Sequence, residues 1–189
     1  MSVNAVRSLR ASEASAAHLA GCFAELYESL GQVSTSLEDD AFVVAVFEFA
    51  RRCGDLRQEF LALRAHRAGA NASLAQRRLT VIGESVAASV AEDPSGALTL
   101  YVVTSVLGPR LLISLRDVAA LATGPGEGPL RETCQEAASV LIAHSRYIGE
   151  IARVQAPQLA APWHAAARRL EALVTQAGYG ESFGTGESG

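Results

Sequence analysis

The sequence of 189 residues contains no lysine, so arginine supplies all 16 of its basic side chains. The missing lysine excludes Schiff-base chemistry and phosphate-binding loops of the Walker type, because both depend on a lysine ammonium group. Charged residues make up only 19% of the chain, and the formal net charge is −4. A dense cationic face of the kind that binds nucleic acid is therefore not expected, and we predict no nucleic-acid partner.

Cysteine is also scarce. Cys22, Cys53 and Cys134 are widely spaced and form no CxxC or Cys/His zinc pattern. Free buried thiols in a reducing compartment are the usual state of such cysteines. The chain has no GxSxG elbow and no recognisable catalytic Cys/His signature. We expect a protein that is not an enzyme and that carries no cofactor.

Long hydrophobic runs are missing as well. The longest stretch without charge, Pro94 to Pro109, is sixteen residues and is interrupted by Gly96 and Gly108, whereas a bilayer-spanning helix needs about 20 apolar residues. No secretory signal follows the first residues. We expect no transmembrane anchor, one helical domain over residues 1–177, and a flexible Gly/Ser-rich tail over residues 178–189.

Apolar residues recur at helical spacing along most of the chain. The pattern predicts a first helix that stops at Gly31, a second capped by Ser36, a third piece over residues 71–90, and later helices that begin at Pro129 and Pro162. Residues 97–121 are the most apolar segment and predict a central helix kinked at Pro109. The predicted class is all-α: a single globular bundle of six or more helices around this buried hydrophobic helix.

Metal binding is the main alternative to consider in a helical bundle. Ferritin-like di-iron proteins use Glu-x-x-His pairs, and none occurs here. His18, Cys22 and Glu25 share one face of the first helix and could coordinate a metal, but packed or solvated side chains are the simpler interpretation. His144 lies on the apolar seam of its helix and is interpreted as a core or interface histidine.

Three segments resemble homology motifs of the B-cell-lymphoma-two (Bcl-two) family of apoptosis regulators. In ARRCGD, Gly54 interrupts a regular apolar seam and predicts the close approach of another helix, and Asp55 follows it; this resembles the BH-three motif. VAASVAEDPSGALTLYVV resembles the BH-one motif, in which a glycine opens the central helix. LAAPWHAAARRLEAL, with Trp163 at a helix start, is similar to the BH-two motif. The resemblance covers roughly residues 37 to 174.

The resemblance implies a surface groove that holds an amphipathic helix from a pro-apoptotic protein. Ala97 stands where the family has an arginine that pairs with the aspartate of the ligand, and Arg110 is a candidate substitute. Arg57 occupies an expected apolar position. We call the ten candidate lining residues the predicted groove: Cys53, Leu56, Phe60, Leu79, Ile82, Val86, Gly96, Ala97, Leu100 and Val103.

The implied function is anti-apoptotic binding of BH-three helices in the cytoplasm. Because its motifs diverge from those of the family and it has no lysine, the chain resembles a viral member of the family that acts in a host cell. Peripheral contact with a membrane and formation of a homodimer remain open as further interactions. The alternative is a bacterial ferritin-like protein or degenerate four-helix bundle with a metal-binding or scaffold role, and the simplest interpretation is a helical interaction module without a groove.

Overall fold

A computed structural model describes residues 9–37, 40–63, 96–155 and 160–177. Within these ranges 91% of the residues are helical and no strand occurs, which confirms the all-α prediction. The third predicted helical piece lies outside the described residues, as does the predicted tail. The described part of the chain forms five helices: α1 (Leu9–Ser34), α2 (Asp40–Ala62), α3 (Ala97–Leu121), α4 (Gly128–Gln155) and α5 (Ala160–Ala177).

Helix α1 continues past the predicted stop at Gly31 and ends at Ser34. Leu30 and Val33 on either side of the glycine are fully buried, so packing holds the helix through this position. The last turn is completed by the Ser34 hydroxyl, which donates a 2.8 Å hydrogen bond to the Gly31 carbonyl. A glycine therefore ends a helix only where packing and capping do not favour another turn.

Helix α2 begins at Asp40, four residues after the predicted cap at Ser36. Ser36 instead lies in the turn after α1, where its N–H donates to the Val33 carbonyl at 2.9 Å. The predicted seam of α2 is confirmed from Phe42 to Phe60, because its members are buried against the core. The short connection places α2 beside α1, with which it makes its most extensive contact.

Helix α3 coincides with the segment for which the sequence predicts a central apolar helix. It contacts α1, α4 and α5, and about 65% of its most apolar window is buried. By length and mean hydropathy, 1.6, it is the one described helix that could cross a membrane. Its Val103–Leu107 segment forms a π-helical turn just before Pro109. The predicted irregularity therefore lies in the preceding turn, since proline disturbs the carbonyl four residues before it.

Helix α4 runs antiparallel to α3 after a short loop. The two helices approach closely at Gly108, where a Cβ atom would lie 3.1 Å from the Ser145 Oγ. In the loop, the buried Glu127 carboxylate accepts hydrogen bonds from the Ser12 hydroxyl and from the Gly124 N–H. These bonds attach the start of α4 to α1. Helix α5 begins two residues before Pro162 and buries Leu170 and Val174 in the same core.

Candidate functional site

Three residues of the predicted groove lie on α2, and all three are fully buried. Cys53, Leu56 and Phe60 face the core, where the Phe60 ring stacks on Phe23 of α1 with 5.7 Å between ring centroids. Burial raises the pKa of the Cys53 thiol, so this cysteine stays protonated at neutral pH and is a poor nucleophile. A ligand could contact these side chains only if α2 moved away from its neighbours.

Four further residues of the predicted groove lie at the start of α3 and are also buried: Gly96, Ala97, Leu100 and Val103. Gly96 has a φ of 71°, in the left-handed region that favours glycine. A Cβ atom at this position would lie 3.1 Å from Cγ1 of Val33. The opening of α3 is therefore packed against the end of α1. The other three residues, Leu79, Ile82 and Val86, lie outside the described residues.

The BH-three-like pair on α2 is partly exposed. A Cβ atom at Gly54 would lie 3.5 Å from the Tyr27 ring of α1, which is an ordinary van der Waals contact. Helix α1 does approach α2 at Gly54, but the space would admit a Cβ atom, so the contact does not require glycine. The Asp55 carboxylate forms ion pairs with Arg51 at 2.9 Å and Arg52 at 3.6 Å. The charge of Asp55 is thus balanced within its own helix.

Arg110, the candidate substitute for the family arginine, is held by α5. Its guanidinium donates to the Glu171 carboxylate, at 2.9 Å from Nε, and to the Thr175 hydroxyl at 2.6 Å. A ligand carboxylate would have to displace Glu171 to bind there. The backbone of Trp163 lies in the first turn of α5, and its side chain is outside the described residues.

The contact between α2 and α4 is polar at one end and aromatic at the other. Arg52 forms an ion pair with Glu136 at 3.1 Å, and the ring of His144 stacks on buried Phe49 with centroids 5.0 Å apart. Burial lowers the pKa of His144. Burial and, next, the negative charge of Glu136 raise the pKa of Glu59. His144 is therefore an interface histidine, as its place on the apolar seam predicts.

An open cleft lies between α3 and α4, and none of its residues was expected to bind a ligand. Its volume is about 320 Å³, near the lower end of ligand-pocket sizes. Leu115 and Cys134 are buried, while Ile142 is 46% exposed. The α3–α4 cleft is lined by Leu115, Arg116, Ala119, Cys134, Gln135, Ala138, Ser139 and Ile142.

The electrostatics of the α3–α4 cleft depend on one arginine. Arg116 is exposed and makes no ion pair or hydrogen bond with any residue that the structure describes. Arg51, Arg52, Arg110 and Arg146 each pair with a carboxylate, whereas the side chains of Arg57 and Arg168, like that of Arg116, have no partner among the described residues. Sequence periodicity could not find this site, because Arg116 and Ile142 lie off the buried seams of their helices. The one available signal was an isoleucine at a solvent-facing position.

A metal site is not evident in the described ranges, where no three His, Cys, Asp or Glu side chains are grouped to hold an ion. Of the three α1 residues that share a face and could coordinate a metal, the His18 Nε2 and the Cys22 Sγ lie 3.5 Å apart. Cys22 and Glu25 are both buried. Among the described residues, therefore, no assembled site supports the metal-binding alternative.

Comparison with known proteins identifies no relative. No family model, curated protein or solved structure matches the chain.

Proposed function

We propose that this protein is an anti-apoptotic regulator with a Bcl-two-like bundle of six or more helices, and that it binds the amphipathic BH-three helix of a pro-apoptotic protein. In this role it acts by binding and catalyses no reaction. Recognition would be of the helix-in-groove type, in which apolar anchors at i, i+3, i+4 and i+7 enter a trough and a charge pair fixes the register.

The observation that supports the proposal is the apolar composition, the start and the packing of α3. It is the most apolar helix, it starts at left-handed Gly96, and it is packed by α1, α4 and α5. This is the arrangement that the resemblance of residues 86–103 to the BH-one motif implies. The Gly54–Asp55 pair on α2 and the start of α5 at Ala160 are consistent with the other two motifs.

Binding can be tested directly with synthetic BH-three peptides of pro-apoptotic proteins and the full chain. We expect submicromolar dissociation constants for at least some members of a broad panel, equivalent to about −8 kcal/mol or better. The control is a peptide of the same composition in scrambled order, which keeps the charge and removes the apolar stripe. Isothermal titration calorimetry gives the affinity and the stoichiometry, and a panel without a binder would contradict the proposal.

A further inference from the structure

We propose that the helical ligand binds in the α3–α4 cleft, and that Arg116 receives a carboxylate of that ligand; this inference rests on the proposed function. A site for an amphipathic helix must offer exposed apolar side chains. The seven described residues of the predicted groove are buried, whereas the cleft is open and has Ile142 at its rim.

The dimensions of the α3–α4 cleft suit a short helical segment. Its lining on α4 runs from Cys134 to Ile142, which is about 12 Å at 1.5 Å per residue. Apolar anchors at i and i+7 of a ligand helix are about 10 Å apart by the same rise. The cleft is therefore long enough to receive anchors at i and i+7 of a ligand helix.

Small residues create the space that the anchors would fill. Ala119 on α3 and Ala138 on α4 have side chains too short to close the gap between the helices, and Ser139 lies at the edge. The buried Leu115 forms an apolar floor beneath them. The surface that an anchor would meet is thus mostly aliphatic, and apolar side chains of the ligand would be favoured over polar ones.

Charge complementarity identifies the kind of helix. Arg116 is the basic side chain at the cleft, and no described residue neutralises it. A ligand with a carboxylate next to its apolar stripe gains a charge-assisted hydrogen bond from this guanidinium, and a basic ligand is repelled. The occupant is therefore an apolar-and-acidic helix, which describes a BH-three segment with its aspartate.

The test compares two arginine-to-glutamate variants that change the net charge equally. Arg116→Glu alters the cleft, and Arg57→Glu alters an exposed position on α2, the helix that carries part of the predicted groove. With the tightest-binding BH-three peptide of the panel, we expect Arg116→Glu and Ile142→Glu each to weaken binding by about tenfold or more, and Arg57→Glu by less than about twofold. Circular dichroism and thermal melting verify that each variant is folded.

A second experiment exchanges the charges of Arg116 and the peptide aspartate. A peptide whose aspartate is replaced by arginine should bind the Arg116→Asp variant better than it binds the unaltered protein. Unchanged affinity in Arg116→Glu and Ile142→Glu would overturn the cleft assignment and leave the proposed function intact. If no peptide of the panel binds at all, both proposals fail. If sedimentation shows a dimer that Arg116→Glu dissociates, the occupant is a second copy and this inference is wrong.

Discussion

The predicted groove and the α3–α4 cleft both contain apolar side chains of α3, but the described residues of the groove are buried, whereas the cleft is open. Leu100 and Val103 in the first region are fully buried, whereas in the second Ala119 is only half-buried and Ile142 is exposed. A regular apolar seam is periodic because it faces the core, so the clearest seam is the least accessible one. Binding surfaces form where facing side chains are too small to fill the space between two helices.

The largest expected change in stability distinguishes buried from exposed positions of α3. Val103→Asp or Leu107→Asp buries an unpaired carboxylate and should cost about 4 kcal/mol or more, giving insoluble or unfolded protein. Ile113→Asp, on the exposed face of the same helix, should change stability by less than about 1 kcal/mol. Urea unfolding measures both. Native-like unfolding of the Val103 variant would mean that α3 is peripheral.

The next comparison uses truncation in place of charge. Phe60→Ala removes a buried ring that stacks on Phe23, and should cost about 3–5 kcal/mol of unfolding free energy. Ile142→Ala at the rim of the cleft should cost less than about 1 kcal/mol. For peptide binding by folded variants the ranking reverses, because Ile142→Ala weakens binding and Phe60→Ala does not. Equal stability losses would contradict the contrast in burial.

Alanine substitution at two glycines should change the free energy of unfolding by intermediate amounts and in opposite directions. Gly96→Ala forces a side chain into the left-handed region and against Val33, and should destabilise the protein by about 1–3 kcal/mol. Gly54→Ala adds a methyl group at ordinary contact distance from Tyr27 inside a helix, and should stabilise it by up to about 1 kcal/mol. Thermal unfolding of the two variants checks the signs. A destabilised Gly54→Ala protein would show that α1 lies closer to α2 than the structure places it.

The smallest effect concerns pH. Because burial lowers the pKa of His144, stability should fall as the pH drops through the ordinary histidine range towards that lowered value. Glu48 and Arg52 of α2 are the charged groups that act on His144 across the interface, and they oppose one another. His144→Gln should flatten the change in unfolding free energy between about pH 7.5 and pH 5.5, the range around the ordinary histidine pKa. An unaltered pH profile would exclude His144 as its source.

Glu59 should produce the opposite trend at lower pH. Its pKa is raised, so the native state favours the protonated acid and gains stability as the pH falls through the raised value. Glu59→Gln should remove this gain and leave the histidine-dependent loss in place. Measuring unfolding at closely spaced pH values in both variants separates the two groups. A steeper histidine-range loss in Glu59→Gln alone would show that the two sites are coupled.

Most of the described fold could be predicted from the sequence because helical periodicity reports burial directly. The α2 seam from Phe42 to Phe60 and the apolar character of α3 were sufficient. The errors were local. Gly31 did not end α1, because the buried Leu30 and Val33 hold the next turn. Ser36 lies in the turn after α1, four residues before α2 begins.

The candidate site could not be predicted in the same way. Whether Leu56 or Leu100 is open depends on which helices cover it, and a seam is equally apolar in both cases. The cleft depends on the register of α3 against α4, which brings Ala119 near Cys134 and Gly108 near Ser145. That register is a tertiary property, and so is the failure of Arg116 to find a carboxylate.

Methyl-resolved NMR of the full chain with a tight-binding BH-three peptide tests the contrast between the two regions most directly. We predict that the largest peptide-dependent shifts occur at the methyl groups of Ile142 and Leu115, and that those of Leu56 and Leu100 change little. Ile113, exposed on α3 and not part of the cleft lining, serves as the internal reference. Largest shifts at Leu56 and Leu100 would contradict the account and return the ligand to the predicted groove.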